Sequence, residues 1–401
     1  MVLAKRSGDK LVAGCGVMMA LGFSSRRLLG MAIGGMALAG CVSGAALVPT
    51  PRQAQTAPRG AVSVPIGPPV STATPARAVN APPKDVVDPG FRRPPSGLSD
   101  RISQLWRTFP GKTGIAVQRI DGEWSFSERG GELFPQQSVS KLWVAMTVLD
   151  AVDQGKLSLD RRVDIGPNDL TLFHQPLAAR VRSEGKVTMS VRELIETAIT
   201  HSDNTANDSL LRTVGGPEAV RRFIAKKDLG SIRFGPGERL LQSATAGLAW
   251  QQSYSRGNAF QQARAALPDS TRKSAREAYL ANPMDGAAPA AIASALTRLA
   301  RGALLSPEST QYLMGVMSRT RSGPKRLKAG LPSGWDFMHK TGTGQDYKGE
   351  TAGYNDIGIA TAPDGTRYAI VVMLGDTSAS IPARMALMQA VSGAVAEFHG
   401  K

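Results

Sequence analysis

Ser138-Val139-Ser140-Lys141 sets a hydroxyl and an ammonium three residues apart at the start of an apolar-periodic run. On a helix that spacing puts both side chains on one face about one turn apart, so Lys141 can touch Ser138 and exchange a proton with it. The positive end of the helix dipole beside Ser138 would favour negative charge developing on oxygen. Alone the tetrad says little, because a serine cap followed by a solvated lysine has the same letters. Two more groups follow it. Ser202-Asp203-Asn204 lies 64 residues on, behind an apolar helical run, and by itself reads equally as a cap opening the next helix. Lys340-Thr341-Gly342-Thr343-Gly344 ends an apolar strand, where glycines let a ligand lie against the backbone and a lysine can meet an anion.

The elements that must position these groups are legible from periodicity. A helix is expected over Leu98 to Phe109. Two short β-rich runs follow, Thr113 to Ile120 and Glu123 to Ser127, joined by the Asp121-Gly122 hairpin signal. From Ser138 to Gly155 the residues Leu142, Ala145, Met146 and Leu149 recur at helical spacing. Helices are expected over Val191 to Ile199, Asn204 to Val214, Glu218 to Ile224, Pro289 to Arg301 and Pro307 to Met317. Strands return at Trp335 to Thr341, Asn355 to Thr361 and Arg367 to Leu374, and a last helix runs from about Pro382 to Phe398. Two strands lead and three trail a helical middle. The expected fold is therefore α+β: one antiparallel sheet of about five strands built from both ends of the chain and flanked by helices, with the helical middle as a second lobe and a cleft between.

The first hundred of the 401 residues are of another kind. Residues 1–40 read as an export signal, with Lys5, Arg6 and Lys10 ahead of an apolar run, then Arg26-Arg27 in twin-arginine style, then a second apolar run from Leu28 to Val48. Leu38-Ala39-Gly40-Cys41 within it resembles a bacterial lipobox, which would make Cys41 the lipidated residue; an uncleaved span is the alternative. Residues 42–97 are rich in Pro, Ala and Thr, with Pro-Pro pairs at 68, 82 and 94, the composition of an extended tether. The only two cysteines, Cys15 and Cys41, lie in the leader, so no disulfide is expected in the catalytic part. The formal charge of +16 suits anionic membrane or cell-wall surfaces. An exported chain without a nucleic-acid motif excludes nucleic acid as the partner, and four histidines without ligand spacing leave no metal and no cofactor expected.

Taken together and in order, Ser138-x-x-Lys141, Ser202-Asp203-Asn204 and Lys340-Thr341-Gly342 resemble the class A β-lactamases and, more broadly, the penicillin-recognising serine hydrolases. The resemblance runs over 98–401 and includes Phe134-Pro135, Val191-Arg192-Glu193-Leu194, Pro332-Ser333-Gly334-Trp335 and Asn355-Asp356-Ile357. It implies that Ser138 is acylated by a β-lactam, that Lys141 and Ser202 move protons, and that the backbone N–H groups of Ser138 and Thr343 form the oxyanion hole. Asn204 would hold the substrate amide, and Lys340, Thr341, Gly342 and Thr343 would receive its carboxylate end. Where class A enzymes carry E-x-x-L-N, this chain has Glu238-Arg239-Leu240-Leu241-Gln242. Glu238 is thus the implied general base, with Gln242 replacing the usual Asn at the water.

Further departures are an insertion of about 243–281, expected to be helical and to cover one side of the cleft, and some six extra residues between Gln345 and Asn355. Arg384 is the candidate for the arginine that relatives place near the substrate carboxylate. Phe173 or His174 would stand at the cleft mouth, while His174, His201 and His339 read as packing or rim residues. The rival activities on the same chemistry are a D-alanyl-D-alanine carboxypeptidase acting on peptidoglycan stem peptides, and a β-lactam sensor or wall-binding lipoprotein without turnover. A monomer, exported and held to the cell envelope through a lipid on Cys41, completes the expectation.

Overall fold

A computed structural model describes residues 93–122 and 124–401; the export signal, Cys41 and nearly all of the 42–97 tether lie outside the described residues. Helix α1 (Ser96–Thr108) begins two residues earlier than expected and leads into strand β1 (Lys112–Arg119), which turns through Asp121-Gly122 into β2 (Ser125–Glu128). After the short β3 (Phe134–Pro135) comes the helical lobe: α2 (Lys141–Asp153), β4 (Arg162–Ile165), α3 (Leu177–Glu184), β5 (Val187–Ser190), α4 (Val191–Thr200), α5 (Asn204–Thr213) and α6 (Pro217–Lys226). Helices α7 (Glu238–Thr245), α8 (Ala259–Ala266) and α9 (Asp269–Ala281) carry the candidate base and the insertion. A two-residue β6 (Gly286–Ala287) then pairs with β3. Helices α10 (Pro289–Ala300) and α11 (Pro307–Ser318) return the chain to β7 (Asp336–Thr343), β8 (Asp346–Tyr347), β9 (Glu350–Thr361), β10 (Arg367–Thr377) and α12 (Ile381–Glu397).

The sheet has the order β2-β1-β10-β9-β7, every pair antiparallel, with β8 folded onto β9. It is the expected five-stranded sheet plus a short sixth strand made from the extra residues after Gln345. Both faces are covered, and the period of two along each strand sorts them. Ile115, Val117, Ile370, Val372 and Leu374 meet α1 and α12 through Leu98, Ile102, Leu387, Met388 and Val391. Ala116, Ala369, Val371 and Met373 face the helical lobe. Burial on both sides is why β1, β9 and β10 read as near-continuous apolar runs rather than as alternation.

Helix α2 is the axle of the lobe. Every residue from Lys141 to Leu149 is buried, beyond the one stripe that periodicity picks out, because α4, α5, α6 and α11 surround it. Sequence signals fix the ends of its neighbours. Ser190 and Glu193 form a reciprocal capping box on α4, and Asp203 caps α5 through the Ala206 N–H. Each such cap is worth about 1 kcal/mol, and the Asp203 cap also sets Ser202 and Asn204 at the mouth of the cleft.

Candidate functional site

Ser138 stands on a 3-10 turn, Gln137–Ser140, that precedes α2 instead of on the α-helix itself. The tighter turn still leaves Lys141 Nζ 2.6 Å from Ser138 Oγ. The residue before the nucleophile, Gln137, has φ 54°, a left-handed conformation costing a non-glycine residue about 1–3 kcal/mol. It is held there from outside the turn. Its N–H donates to Asp285 Oδ2 at 2.8 Å, and its side-chain Nε2 donates to Tyr279 OH at 2.7 Å.

Lys141 is fully buried and joins three of the sequence candidates at one atom. Its Nζ donates to Ser138 Oγ, to Asn204 Oδ1 at 2.9 Å, and to Glu238 Oε1 in a close ion pair. Asn204 is oriented by its other end, where Nδ2 donates to the Leu172 carbonyl at 2.9 Å. Ser202 also has a positive φ, 58°, which turns its hydroxyl back toward β7. There Lys340 Nζ donates to Ser202 Oγ at 2.9 Å and to the Thr341 carbonyl at 2.9 Å. Lys340 is wholly buried, and burial, reinforced by the charge of Lys141, holds its pKa well below the ordinary lysine value. The structure thus assigns Lys340 to Ser202 more than to open solvent.

Glu238 opens α7 and is buried. Gly237, at φ 98°, makes the turn into the helix where a Cβ would press against Leu211. Asp208 on α5 then accepts from the Glu238 N–H at 3.0 Å and the Arg239 N–H at 3.4 Å, closing the helix end from a neighbouring element. Burial, with Glu238 nearby as a second negative charge, pushes Asp208 up to about 6. Gln242 lies one turn after Glu238, as i, i+4 spacing requires. Its Nε2 donates to Glu238 Oε2 at 3.4 Å and to Gln137 Oε1 at 3.0 Å. Gln345 Nε2 donates to the Gln242 carbonyl and side-chain oxygens at 2.8 and 3.1 Å.

A continuous set of hydrogen bonds therefore links the candidate base to a buried acid: Glu238 to Gln242, Gln242 to Gln137, Gln137 to Tyr279, and Tyr279 OH to Asp285 Oδ1 at 2.9 Å. Asp285 is buried without an ion pair among the described residues, and burial pushes its carboxyl up to about 6. Sequence reasoning missed Gln137, Asp285 and the role of Tyr279. Only the aromatic content of the insertion pointed toward the last.

Strand β7 passes so close to the nucleophile's turn that a Cβ on Gly342 would stand 2.3 Å from the Gln136 carbonyl. Asn355 on β9 ties the same turn by donating to the Pro135 and Gln136 carbonyls at 2.8 and 3.1 Å. Thr343, exposed at the strand end, is thereby set alongside Ser138. Thr341 Oγ1 lies 2.7 Å from Ser322 Oγ. Arg384 approaches this group only through the Tyr354 ring, 5.6 Å from its guanidinium. It is buried at the start of α12, where Nε donates to the Ala379 carbonyl at 2.7 Å and Nη1 bonds Thr351. The arginine that reaches the strand is Arg326. Its guanidinium lies 3.8 Å from the centre of the Tyr354 ring and donates to Thr343 Oγ1 at 2.6 Å and the Gly342 and Asn355 carbonyls at 3.1 and 2.6 Å. Position along the chain cannot make that choice, because Arg326 meets Thr343 only through the return of β7.

The insertion is helical, as expected, and packs Tyr254 and Phe260 on Leu172 and Ala246. Phe173, exposed and at φ 60°, stacks edge-on against Phe260 with ring centres 5.1 Å apart. His174 beside it is exposed, and its carbonyl accepts from the Asn204 N–H. His201 bonds Thr200, and the buried His339 lies 2.9 Å from Asp356.

Residues 97–398 match a family model described as the beta-lactamase enzyme family. The extended-spectrum beta-lactamase PER-1 of Pseudomonas aeruginosa is 29% identical over 304 residues, covering 76% of this chain and 88% of that protein. Among solved structures, a beta-lactamase from Chitinophaga pinensis superposes with a TM-score of 0.61 at 28% identity, covering 75% of this chain and 98% of the other. An ancestral class A beta-lactamase superposes with a TM-score of 0.57 at 32% identity, covering 75% and 99%.

Proposed function

The chain belongs to the beta-lactamase enzyme family as a serine β-lactamase of class A, and from that premise we propose which residues open the ring and which release the product. One observation carries the proposal: a single ammonium, Lys141 Nζ, touches the hydroxyl of Ser138, the amide of Asn204 and the carboxylate of Glu238 at once. Three N–H bonds meet three acceptors, so the protonated Lys141 has no lone pair for the Ser138 proton. Passing one proton to Glu238 along their close contact leaves a neutral amine facing Ser138.

Ser138 Oγ then gives its proton to Lys141 and attacks the lactam carbonyl, while the N–H groups of Ser138 and Thr343 hold the developing oxyanion. When the ring C–N bond breaks, the nitrogen takes the hydroxyl proton of Ser202. Ser202 Oγ accepts from Lys340, which leaves its own hydrogen free to donate; Lys141 resupplies it. Asn204 binds the acyl amide, and Thr341, Thr343 and Arg326 meet the substrate carboxylate. With the acyl-enzyme formed, Glu238 returns its proton to the now neutral Lys141 along the same close contact. As a carboxylate it then removes a proton from water, with the Gln242 amide as the second contact, and the hydroxide displaces Ser138 from the acyl carbon. Ser138 recovers its proton from Lys141, and the proton Glu238 took from water passes to Lys141 to restore the starting pair.

The test is Glu238→Ala beside the wild type, with nitrocefin turnover and intact mass on the same samples. The expected result is an acylated Glu238→Ala protein that persists while wild type returns to its free mass, and no acyl mass in Ser138→Ala. Equal release in both proteins removes Glu238 from the second step and favours a wall enzyme or a once-acylated sensor. The reading of the leader extends the proposal to a monomer exported to the cell envelope and anchored by lipid on Cys41. Cys41→Ala is then expected in the soluble fraction, and unchanged membrane association would rule the anchor out.

A further inference from the structure

Behind the Gln242 face of the site, the insertion and the β8 hairpin enclose a cavity of about 20 Å³, room for one water-sized species. Its wall carries three guanidinium groups, Arg264, Arg272 and Arg276, together with Thr245, Gln345 and Tyr347, and no Asp or Glu among the described residues lines it. Arg276, nine-tenths buried, turns Nη2 outward to Asp376 and to Glu350 at 3.2 Å, while its Nε has no partner. Arg272 lies over the Tyr347 ring at 5.3 Å with its Nε also unpartnered, while the Tyr347 hydroxyl is turned toward Asp269 and Lys348. Arg264 is half-buried against the Asp346 carbonyl, with its pKa depressed by burial and by the charge of Arg272. Arg276 is offset by its two carboxylates, and Arg264 and Arg272 are half-exposed, so what the cavity leaves unmet is a set of buried donors, the Nε groups of Arg272 and Arg276, on a wall that is net positive. A water could accept from one or two of these donors; an anion accepts from all of them and suits the positive wall.

We propose that this cavity binds a small inorganic anion, of the size of chloride, which accepts from the unused donors of Arg272 and Arg276 and braces the insertion against α7. The link to the chemistry is short. Gln345 and Thr245 line the cavity, and Gln345 Nε2 holds both the Thr245 hydroxyl, at 2.9 Å, and the oxygens of Gln242. An occupied cavity fixes the wall on which Gln242 rests, and an empty one leaves the donors of that wall unpaired.

The experiment is thermal unfolding of the full chain in sodium chloride against sodium gluconate at matched ionic strength, since gluconate is too large for the cavity. A ligand that binds only the folded state at a hundred times its dissociation constant raises the midpoint by about 4 °C in a domain of this size. The expected result is a saturable, chloride-specific rise of that order in wild type and its loss in Arg272→Gln, with nitrocefin turnover following the same chloride curve. Should Arg272→Gln fail to fold, Arg264→Gln carries the same expectation. No chloride-specific rise in wild type, or an equal rise in the variant, overturns the proposal.

Discussion

Tyr279→Phe removes one oxygen atom that serves two buried partners. The phenol accepts from Gln137 Nε2 at 2.7 Å and donates to Asp285 Oδ1 at 2.9 Å. Without it Asp285 keeps the Gln137 N–H, and Gln137 Nε2 keeps only the Ala352 carbonyl at 3.3 Å. An unsatisfied buried polar group costs about 1–3 kcal/mol, so the midpoint of unfolding should fall by roughly 3 °C. The effect on catalysis is more selective. Tyr279 touches no reacting atom; it acts through the Gln137 side chain, whose oxygen fixes the Gln242 amide against Glu238. If that restraint is worth one hydrogen bond to a charged group, about 1.5 kcal/mol, release of the acyl group slows about tenfold. Ser138, Lys141 and Asn204 keep every contact they have, so acylation should change less than twofold. Stopped-flow single turnovers with nitrocefin separate the two rates, and intact mass should show acyl-enzyme building up in the variant. Gln242→Ala supplies the control: once Gln242 is gone, Tyr279→Phe should have no further effect on release. An equal fall in both steps, or additive losses in the double variant, would refute the argument for a positioning role.

Asp208 and Asp285 are each pushed up to about 6 by burial, so the folded chain keeps protons that the unfolded chain gives up from about pH 4. Their contribution to stability is therefore fully present below pH 4 and lost as pH rises to about 6, by ~3 kcal/mol each; urea unfolding of Asp208→Asn should show a shallower fall across that window than wild type. A Cβ at Gly344 would lie 1.9 Å from the Ala352 carbonyl, so Gly344→Ala should cost about 1–3 kcal/mol by thermal unfolding and slow acylation by displacing Thr343. Gly349→Ala, in open space at φ 84°, should cost only about 1 kcal/mol and leave acylation intact. Arg326→Lys gives up the fork that holds Thr343 and two carbonyls and should raise KM about tenfold with kcat little changed, an effect of about 1.4 kcal/mol on binding. Arg384→Lys should leave KM within twofold, and a matching rise there would reverse the choice between the two arginines.

The two halves of the reaction differ in how far they can be read from the chain. The acylating groups are legible because local geometry joins them. Ser138 and Lys141 are one turn apart, and Asp203 caps α5 so that Ser202 and Asn204 flank it. The sheet was legible too, since β1, β9 and β10 are apolar on both faces and α12 is bounded by Ser380 and the chain's last apolar residues. Periodicity could not distinguish a 3-10 turn from the first turn of α2, nor find β4 and β5, four residues each and mostly polar or half-exposed at β4. The groups around the releasing step have no local signal at all. Gln137 and Asp285 are 148 residues apart, and Gln137 and Tyr279 are 142 apart. They meet because β3 pairs with β6 and draws the end of the insertion against the nucleophile's turn. From the sequence, Gln242 stands where class A relatives carry an Asn at the water. In the fold its amide spans from Glu238 to Gln137, so the added length is what connects the base to the turn carrying Ser138, and the insertion that supplies Tyr279 is part of the same device.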